Sequence, residues 1–325
     1  GICLLAWMAT SAWKYYNVSV LNNYKSSSTN NRNTALFEKT LKKYENIVQP
    51  KVVSVKVNAD IYPDDRSIKM HSFLTVVNKS SEPIKELHLS ASGDLKYTLV
   101  YNGKLLSYNS PLSFDHAAIN FLKSGKDTFN YHIFQLPETL QPADTAVMEI
   151  HSITAYNGFV NNGFNREILY DGTFFSGGIP SFGYNADGEL SSDEKRKKHG
   201  LKPKNDEYPP QSDVKGKNTM LFNDDADLIQ FEATLSTKAG QIAIAPGYLQ
   251  KQWTENGRSY FHYVQDTKIQ FFLSIISGNF DVFKDSVTIS NGNKINIEIY
   301  HHKNHKFNLQ RFNTSLKDGL EYFSH

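Results

Sequence analysis

Alternation of apolar and polar residues is the main pattern of this chain from residue 52 onwards. In VVSVKVNADIY (52–62) every second residue is apolar, which is typical of a strand with one buried face. The polar turn PDDRS separates this segment from IKMHSFLTVVN (68–78), and the pair predicts an antiparallel hairpin. Further strands are predicted within 84–91, 96–108, 128–136, 146–156, 228–237, 241–253, 258–266, 269–276 and 294–302. Because helices do not alternate with these strands, the pattern predicts an all-β domain of antiparallel sheets.

The pattern changes to helical spacing before this β region. In ALFEKTLKKYENIV (35–48) apolar residues recur at helical spacing, which predicts a helix capped by Thr34 and ended by Pro50. The polar stretch before it, residues 22–34, has the composition of a linker. Residues 17–50 are therefore predicted to form a polar linker and a helix.

Helical spacing returns at the end of the chain, in KFNLQRFNTSLKDGLEYFSH. An apolar stripe with little to pack on indicates that this helix belongs to a following domain, which we expect to begin within residues 301–325. The stripe consists of Phe307, Phe312, Leu316, Leu320 and Phe323.

The apolar start of the chain, GICLLAWMATSAW, has thirteen residues, fewer than the ~20 that cross a bilayer. Aromatic residues around Lys14 are typical of a membrane interface, where rings and cations lie among the head groups. We therefore interpret residues 1–16 as the outgoing end of a transmembrane helix, which makes the chain part of a longer protein. An ordinary buried helix is the alternative. The aromatic residues are Trp7, Trp13, Tyr15 and Tyr16.

Charge and cysteine content exclude several classes of function. The chain has 35 basic and 33 acidic residues, whereas nucleic-acid-binding proteins usually concentrate basic charge, so we expect no nucleic-acid partner. The single cysteine, Cys3, cannot form an internal disulfide, a Cys-type zinc site or a CxxC pair.

Residues 191–210 form a charged insertion between two β regions. One interpretation is a basic contact patch. The favoured one is a short solvated helix, ended by Gly200 and followed by a loop.

Two motifs have the spacing of metal ligands, and neither completes a site. HHKNH (301–305) places two histidines four residues apart, but the end of a strand need not bring them to one face, and no HExxH is present. NDDAD (223–227) alternates oxygen ligands as a calcium loop does, but the glycine and the glutamate of such a loop are missing. We predict no metal site and no catalytic residue in this chain.

The segment DGTFFSGGIPSFGYN (171–185) is the main candidate for a functional surface, since it combines aromatic residues with glycines. The glycines permit sharp turns that place the rings either in the core or along a cleft. Both interpretations stay open from the residues alone. The candidate site residues are Tyr170, Asp171, Phe174, Phe175, Phe182 and Tyr184.

Several motifs resemble the N-terminal domain of zinc aminopeptidases of the aminopeptidase N (gluzincin) type. The opening hairpin and the IKELHLSAS strand after it are similar to the first motifs of that domain. LPETLQPADTAVMEI (136–150), LIQFEATLSTKAGQIAIAPG (228–247) and IQFFLSIISGNFDV (269–282) resemble later motifs in the same order. Residues 295–323 are similar to the junction with the catalytic domain, so the resemblance runs from about Val52 to Phe323.

The resemblance implies a saddle-like antiparallel β domain over residues 51–300 and the start of a catalytic domain at 301–325. In that family the zinc ion, the HExxH motif and a distant glutamate ligand belong to the catalytic domain, which here lies beyond His325. The chain alone is therefore expected to be inactive and to form one wall of the peptide cleft. Phe174 stands where the family has a glutamine, which argues against ordinary handling of the substrate amine.

The resemblance extends most to a bacterial group in which an aminopeptidase-like module is fused to an ABC-transporter permease. It implies a location at the bacterial inner membrane with the β domain facing the periplasm. The implied partners are the membrane, through the N-terminal helix, the chain's own downstream catalytic domain and a peptide substrate. Two alternatives remain: a catalytically inactive, peptidase-derived binding domain of a transporter, and a stand-alone β-sandwich binding module.

Overall fold

A computed structural model of the protein describes residues 1–91, 95–109, 113–115, 126–163, 165, 167–204, 210–213, 216 and 227–324. The helices are α1 (Ile2–Tyr15), α2 (Ser27–Leu41), α3 (Asp193–Lys198) and α4 (Leu309–Phe323). The strands are β1 (Lys51–Tyr62), β2 (Ser67–Val77), β3 (Ile84–Ser90), β4 (Lys96–Tyr101), β5 (Lys104–Leu106), β6 (Tyr108–Asn109), β7 (Ser113–Asp115), β8 (Lys126–Thr128), β9 (Tyr131–Leu140), β10 (Thr145–Ala155), β11 (Gly172–Phe175), β12 (Ser181–Phe182), β13 (Leu228–Lys238), β14 (Ile242–Ile244), β15 (Tyr248–Glu255), β16 (Arg258–Val264), β17 (Ile269–Gln270), β18 (Ile275–Gly278), β19 (Phe280–Thr288) and β20 (Lys294–His302). The predicted fold class is confirmed, since strand residues in mostly antiparallel sheets outnumber helical residues in the described chain and helices stand near both ends.

The largest sheet has nine strands in the order β15-β16-β13-β1-β2-β10-β4-β5, with β17 also paired to β13. The predicted hairpin of β1 and β2 is confirmed, and Tyr62 pairs with Ser67 across its turn. Neighbouring strands of this sheet are antiparallel except β1 and β13, which are parallel. Parallel strands need a crossover connection, and here that connection contains β2 to β12.

One face of the large sheet carries the core. Successive side chains of a strand point to opposite faces, so alternate residues of β1 are buried while Lys56 and Asn58 are exposed on the outer face. The sheets β12-β3-β9-β6 and β11-β18-β14 cover the inner face, because their apolar residues belong to the same hydrophobic cluster. Buried members of this cluster include Val55, Val57, Ala59 and Ile61 from β1 and Leu87, Phe134, Phe175 and Ala243 from the covering sheets.

Helix α2 begins at Ser27, inside the stretch that was predicted to be a linker. The Oγ atom of Ser26 accepts a hydrogen bond from the backbone N–H of Thr29 at 3.2 Å, so Ser26 caps the helix and the predicted cap at Thr34 is wrong. The first turns of α2 are polar and carry no apolar period. Only the serine cap marks this start in the sequence.

The prediction of a membrane helix at the N-terminus is also wrong. Helix α1 has 14 residues and continues as a π-helical stretch, Tyr16–Leu21. Within the described part of the chain, no helix is both long enough and apolar enough to cross a bilayer. This finding overturns the expected inner-membrane location with the β domain facing the periplasm. The alternative of a buried helix fails as well, since α1 has no buried residue.

Helix α4 confirms the predicted C-terminal helix and lies against the hairpin of β19 and β20. Its polar side makes the contact: Asn313 Nδ2 donates to Asp285 Oδ2 at 2.5 Å, and Lys317 Nζ lies 2.7 Å from the same oxygen. Residues of the apolar stripe such as Phe312 and Leu316 are exposed. Among the described residues, Leu320 of the stripe is half-buried, and its other members are exposed.

Candidate functional site

A cleft of about 1080 Å³ opens on the inner face of the large sheet. Val57 and Met70 of the sheet form part of its apolar floor. Its walls come from the chain after α2 (45–52), the segment between β11 and α3 (175–187) and the chain before β18 (271–275). We call residues 175–185 the cleft segment, since they supply more lining residues than any other stretch of the chain.

The cleft segment is held against the sheet at a glycine turn. Gly178 has a φ of 98°, a left-handed conformation that favours glycine. A Cβ atom at this position would lie 2.2 Å from the Sδ atom of Met70, so the end of that side chain would have to move to make room. The Oγ atom of Ser152 donates a hydrogen bond to the carbonyl oxygen of Gly178 at 2.7 Å. Together these contacts place the cleft segment directly over β2 and β10.

Three of the six predicted site residues line the cleft: Phe175, Phe182 and Tyr184. Phe175 is only 2% exposed, so it belongs to the core as well as to the floor. Phe182 is half-buried and lies on β12, where it pairs with Leu89 of β3. Phe175 thus fits the interpretation of the segment as core, and Phe182 fits its interpretation as the lining of a cleft.

The other three predicted residues lie outside the lining. Phe174 is 60% exposed because it points away from the side on which its neighbour Phe175 is buried. Tyr170 is also 60% exposed, and the Oδ1 atom of Asp171 accepts a hydrogen bond from Asn279 Nδ2 at 3.4 Å. Phe174 therefore does not line this cleft. The role of all six residues in peptide binding stays a prediction.

Tyr184 is fixed by a buried polar cluster at one end of the cleft. Its hydroxyl donates to Oε1 of Glu189 at 3.0 Å, and Lys42 Nζ donates to the same oxygen at 2.8 Å. Its ring stacks on Phe37 with centroids 5.4 Å apart. Burial and the Glu189 carboxylate raise the pKa of Tyr184 far above its ordinary value, so the phenol keeps its proton and donates. The cluster thus holds the cleft wall in place.

The charged insertion packs against α2 and supports this wall. Its helix α3 and the break at Gly200 match the favoured prediction, but Arg196 is buried, so a fully solvated helix is wrong. The guanidinium makes two hydrogen bonds to the carboxylate of Glu38, at 2.7 and 2.9 Å. It also donates to the carbonyl oxygens of Leu190 and Lys202. A buried arginine is retained here because each of these partners accepts one of its protons.

The polar groups of the cleft are suited to binding and positioning. Gln49 joins the lining to β3, since its Oε1 accepts from the backbone N–H of His88 at 2.8 Å. Lys79 and Asp227 form an ion pair of 2.7 Å among the lining residues. The described lining contains no histidine or cysteine, so these residue types supply neither zinc ligands nor a nucleophile to it. An apolar floor with many polar and charged side chains around it suits a ligand that has both apolar and polar groups.

A histidine–glutamate cluster on the outer face of the large sheet was missed by the sequence analysis. Its members are His71 of β2 and Glu149 and His151 of β10, and their ligand atoms lie within 4.8 Å of one another. The sequence EIH at 149–151 indicates a shared face for two of them. The third joins them only through the register of β2 with β10, which the sequence does not reveal.

The two motifs with metal-like spacing have different outcomes. His301 and His302 are consecutive on β20 and point to opposite sides of the strand. The ring of His302, not that of His301, lies near His305, with centroids 5.1 Å apart. The strand end thus does not bring the His301 and His305 pair together. Asn223 and Asp225 of the calcium-like motif lie outside the described residues.

Comparisons with known proteins find a similar fold. No family model and no curated protein matches the chain. Legionella pneumophila aminopeptidase A in complex with aspartic acid is 14% identical, with a TM-score of 0.52 over 87% of this chain and 27% of that chain. The M1 zinc metallopeptidase from Deinococcus radiodurans is 13% identical, with a TM-score of 0.47 over 78% of this chain and 48% of that chain. The chain thus spans about half of the Deinococcus protein and about a quarter of the Legionella protein. The likeness to the Legionella protein shows that this chain has the fold of one part of an aminopeptidase.

Proposed function

We propose that this chain is the non-catalytic β domain of an aminopeptidase-like zinc metallopeptidase and that the cleft segment forms one wall of its peptide cleft. The observation that carries this proposal is the cleft of about 1080 Å³, which the predicted segment lines in a fold shared with part of an aminopeptidase. In this cleft, Phe182 and Tyr184 provide aromatic contacts for apolar side chains of a peptide.

The partner of this domain, in the proposal, is a catalytic domain that follows in the chain and holds the zinc ion. The exposed apolar stripe of α4 supports such a partner, since Phe312 and Leu316 are 56% and 45% exposed. Apolar side chains on one face of a helix usually lie against another element. We leave the transporter permease out of the proposal because only sequence motifs support it.

The coding sequence beyond His325 distinguishes an active parent from an inactive one. We expect an HExxH motif followed by a more distant glutamate ligand. A continuation that lacks the glutamate of HExxH, or one of its histidines, would favour the inactive binding domain instead. A stop codon directly after His325 would favour a stand-alone binding module.

The catalytic part of the proposal is tested on the purified chain. Aminoacyl anilides and Zn²⁺ are added, and release of the aniline is followed by absorbance. We expect no turnover, because the described cleft lining holds no histidine or cysteine and the chain contains no HExxH. Zinc-dependent hydrolysis by this chain alone would place the chemistry here and refute the proposal.

The binding part is tested with a tripeptide that carries a photoreactive phenylalanine analogue. We expect it to cross-link within residues 175–185 and to do so several-fold less in Phe182→Ser, which removes a lining ring. Phe174→Ser is the matched control, because Phe174 is exposed outside the lining and its loss should leave cross-linking unchanged. Equal losses in the two variants, or labelling spread over the surface, would count against a peptide cleft.

A further inference from the structure

Two histidines and a glutamate form a cluster on the outer face of the large sheet. His71 of β2 and His151 of β10 are direct cross-strand partners. Glu149 lies two residues before His151 and therefore projects from the same face. Met70, the neighbour of His71, projects from the opposite face and lines the cleft. The thickness of the sheet thus separates the cluster from the cleft.

The three side chains direct their ligand atoms toward one place. Nε2 of His71 lies 3.1 Å from Oε2 of Glu149, and Nε2 of His151 lies 4.0 Å from the same oxygen. The two imidazole rings are stacked, with centroids 3.9 Å apart and an interplanar angle of 23°. Ligand atoms around a tetrahedral zinc ion at about 2.0–2.2 Å are roughly 3.4 Å apart. All three atoms lie within 4.8 Å of one another, so rotation of the side chains can bring them onto one ion.

We propose that His71, Glu149 and His151 bind a divalent transition-metal ion, with Zn²⁺ as the best fit. Imidazole nitrogens and a carboxylate oxygen are ligands that Zn²⁺ uses, and imidazole also suits Cu²⁺ and Ni²⁺. Three protein ligands leave a coordination position for water or for a group from a partner molecule. This site is independent of the proposed peptide cleft and of any zinc ion in a catalytic domain.

The backbone beneath the cluster fixes the ligand positions. Strands β2 and β10 pair without a register shift along the whole ladder, which contains His71 and His151 at its centre. Between the ligands, Ser72 and Ile150 point inward and are fully buried. A site on paired strands is more rigid than one on a loop. The side chains of the cluster are a third to a half exposed, so an ion reaches them from solvent.

A metal-free ion pair is the competing explanation. A salt bridge between Glu149 and one histidine needs no second imidazole. Here both Nε2 atoms lie within 4.0 Å of the same carboxylate oxygen. The ring of His71 is also held from another side by Phe73, with centroids 4.1 Å apart. The second imidazole is what distinguishes this cluster from a simple ion pair, since it supplies a third ligand atom within 4.8 Å of the other two.

The test is titration of the metal-free chain with Zn²⁺ by isothermal titration calorimetry. We expect one equivalent to bind at this site. His71→Ala, His151→Ala and Glu149→Gln should each weaken it at least tenfold, because even loss of an outer-sphere partner lowers metal affinity by about 10- to 100-fold. Circular dichroism shows whether each variant is folded. Should one unfold, ¹⁵N NMR of the wild-type imidazoles decides, since His71 and His151 must both shift on addition of Zn²⁺.

The matched control is His262→Ala. His262 is another half-buried histidine of the large sheet, with Nε2 3.8 Å from Oε1 of Glu232. Its removal should leave Zn²⁺ affinity unchanged, as should removal of His302 and His305 from HHKNH. The proposal is overturned by three results: no stoichiometric Zn²⁺ binding, affinity retained in both His71→Ala and His151→Ala, or an equal loss in His262→Ala.

Discussion

Gly178 determines at the residue scale whether the cleft segment can lie against the sheet. We expect Gly178→Ala to lower the free energy of unfolding by roughly 2–5 kcal/mol. Left-handed strain in a residue with a Cβ costs roughly 1–2 kcal/mol, and overpacking against Met70 adds about 1–3 kcal/mol. Urea denaturation followed by circular dichroism measures the loss.

Gly240→Ala is the control that distinguishes the cost of backbone strain from the cost of the contact with Met70. It has a φ of 85°, yet a Cβ atom there would meet nothing within 4 Å. Gly240→Ala should therefore cost only the strain, roughly 1–2 kcal/mol. Equal losses in the two variants would mean that the contact with Met70 contributes nothing to the requirement for glycine.

At the scale of elements, the buried pair of Arg196 and Glu38 joins α3 to α2. We expect Arg196→Met to lower the free energy of unfolding by about 3–5 kcal/mol, because it leaves the buried Glu38 carboxylate with only Lys42, 4.0 Å away, as a cationic neighbour. The side chains of Arg196 and Glu38 are only 4% exposed, so water cannot replace the guanidinium as the hydrogen-bond donor to Glu38. Urea denaturation of this variant measures the loss.

The double variant Glu38→Leu with Arg196→Met tests the cause of that loss. It removes both charges and should recover most of the stability, since buried ion pairs replaced by apolar residues are often neutral. A double variant as unstable as Arg196→Met would show that the guanidinium bonds to Leu190 and Lys202, rather than the stranded carboxylate, carry the effect.

Asp285 makes the contact of α4 with the β19–β20 hairpin dependent on pH. Hydrogen bonds from Lys317, the backbone of Ser286 and Asn313 lower its pKa to about 2. The folded pKa lies below the unfolded value of about 3.9, so the stabilisation is complete above that value and is lost as pH falls towards 2. The stability difference between wild type and Asp285→Asn should therefore be constant near pH 6 and disappear near pH 2. A difference that does not change with pH would contradict this account.

For the whole molecule, the sequence predicts the strands that have one buried face well, and it predicts short or evenly half-buried strands poorly. Strands β1, β2, β10 and β13 have one buried face, so their alternation is visible in the residues. Strand β19 was not predicted, because its residues are half-buried on both faces and show no such period. Strands β11 and β12 are too short to carry a period at all.

The sequence predicts where the candidate site lies along the chain, but it does not predict which of its side chains face the cleft. Glycines and aromatic rings mark residues 171–185, yet the separation of Phe174 from Phe175 depends on the pairing of β11 with β18, about a hundred residues later. The same holds for His71, which meets His151 only through sheet register. Contacts between distant strands decide both sites, and local patterns do not contain them.

The parallel pairing of β1 with β13 also orders events during synthesis. Strand β1 can pair with β2 as soon as the hairpin leaves the ribosome, but its other edge pairs Ser54 with Gln230 and waits for β13. Pairing across so long a stretch of chain forms slowly, and an open edge strand is a template for association with other chains. The inner edge of β1 thus stays open until residue 230 and its neighbours in β13 have been synthesised, and association through that edge competes with folding during this interval.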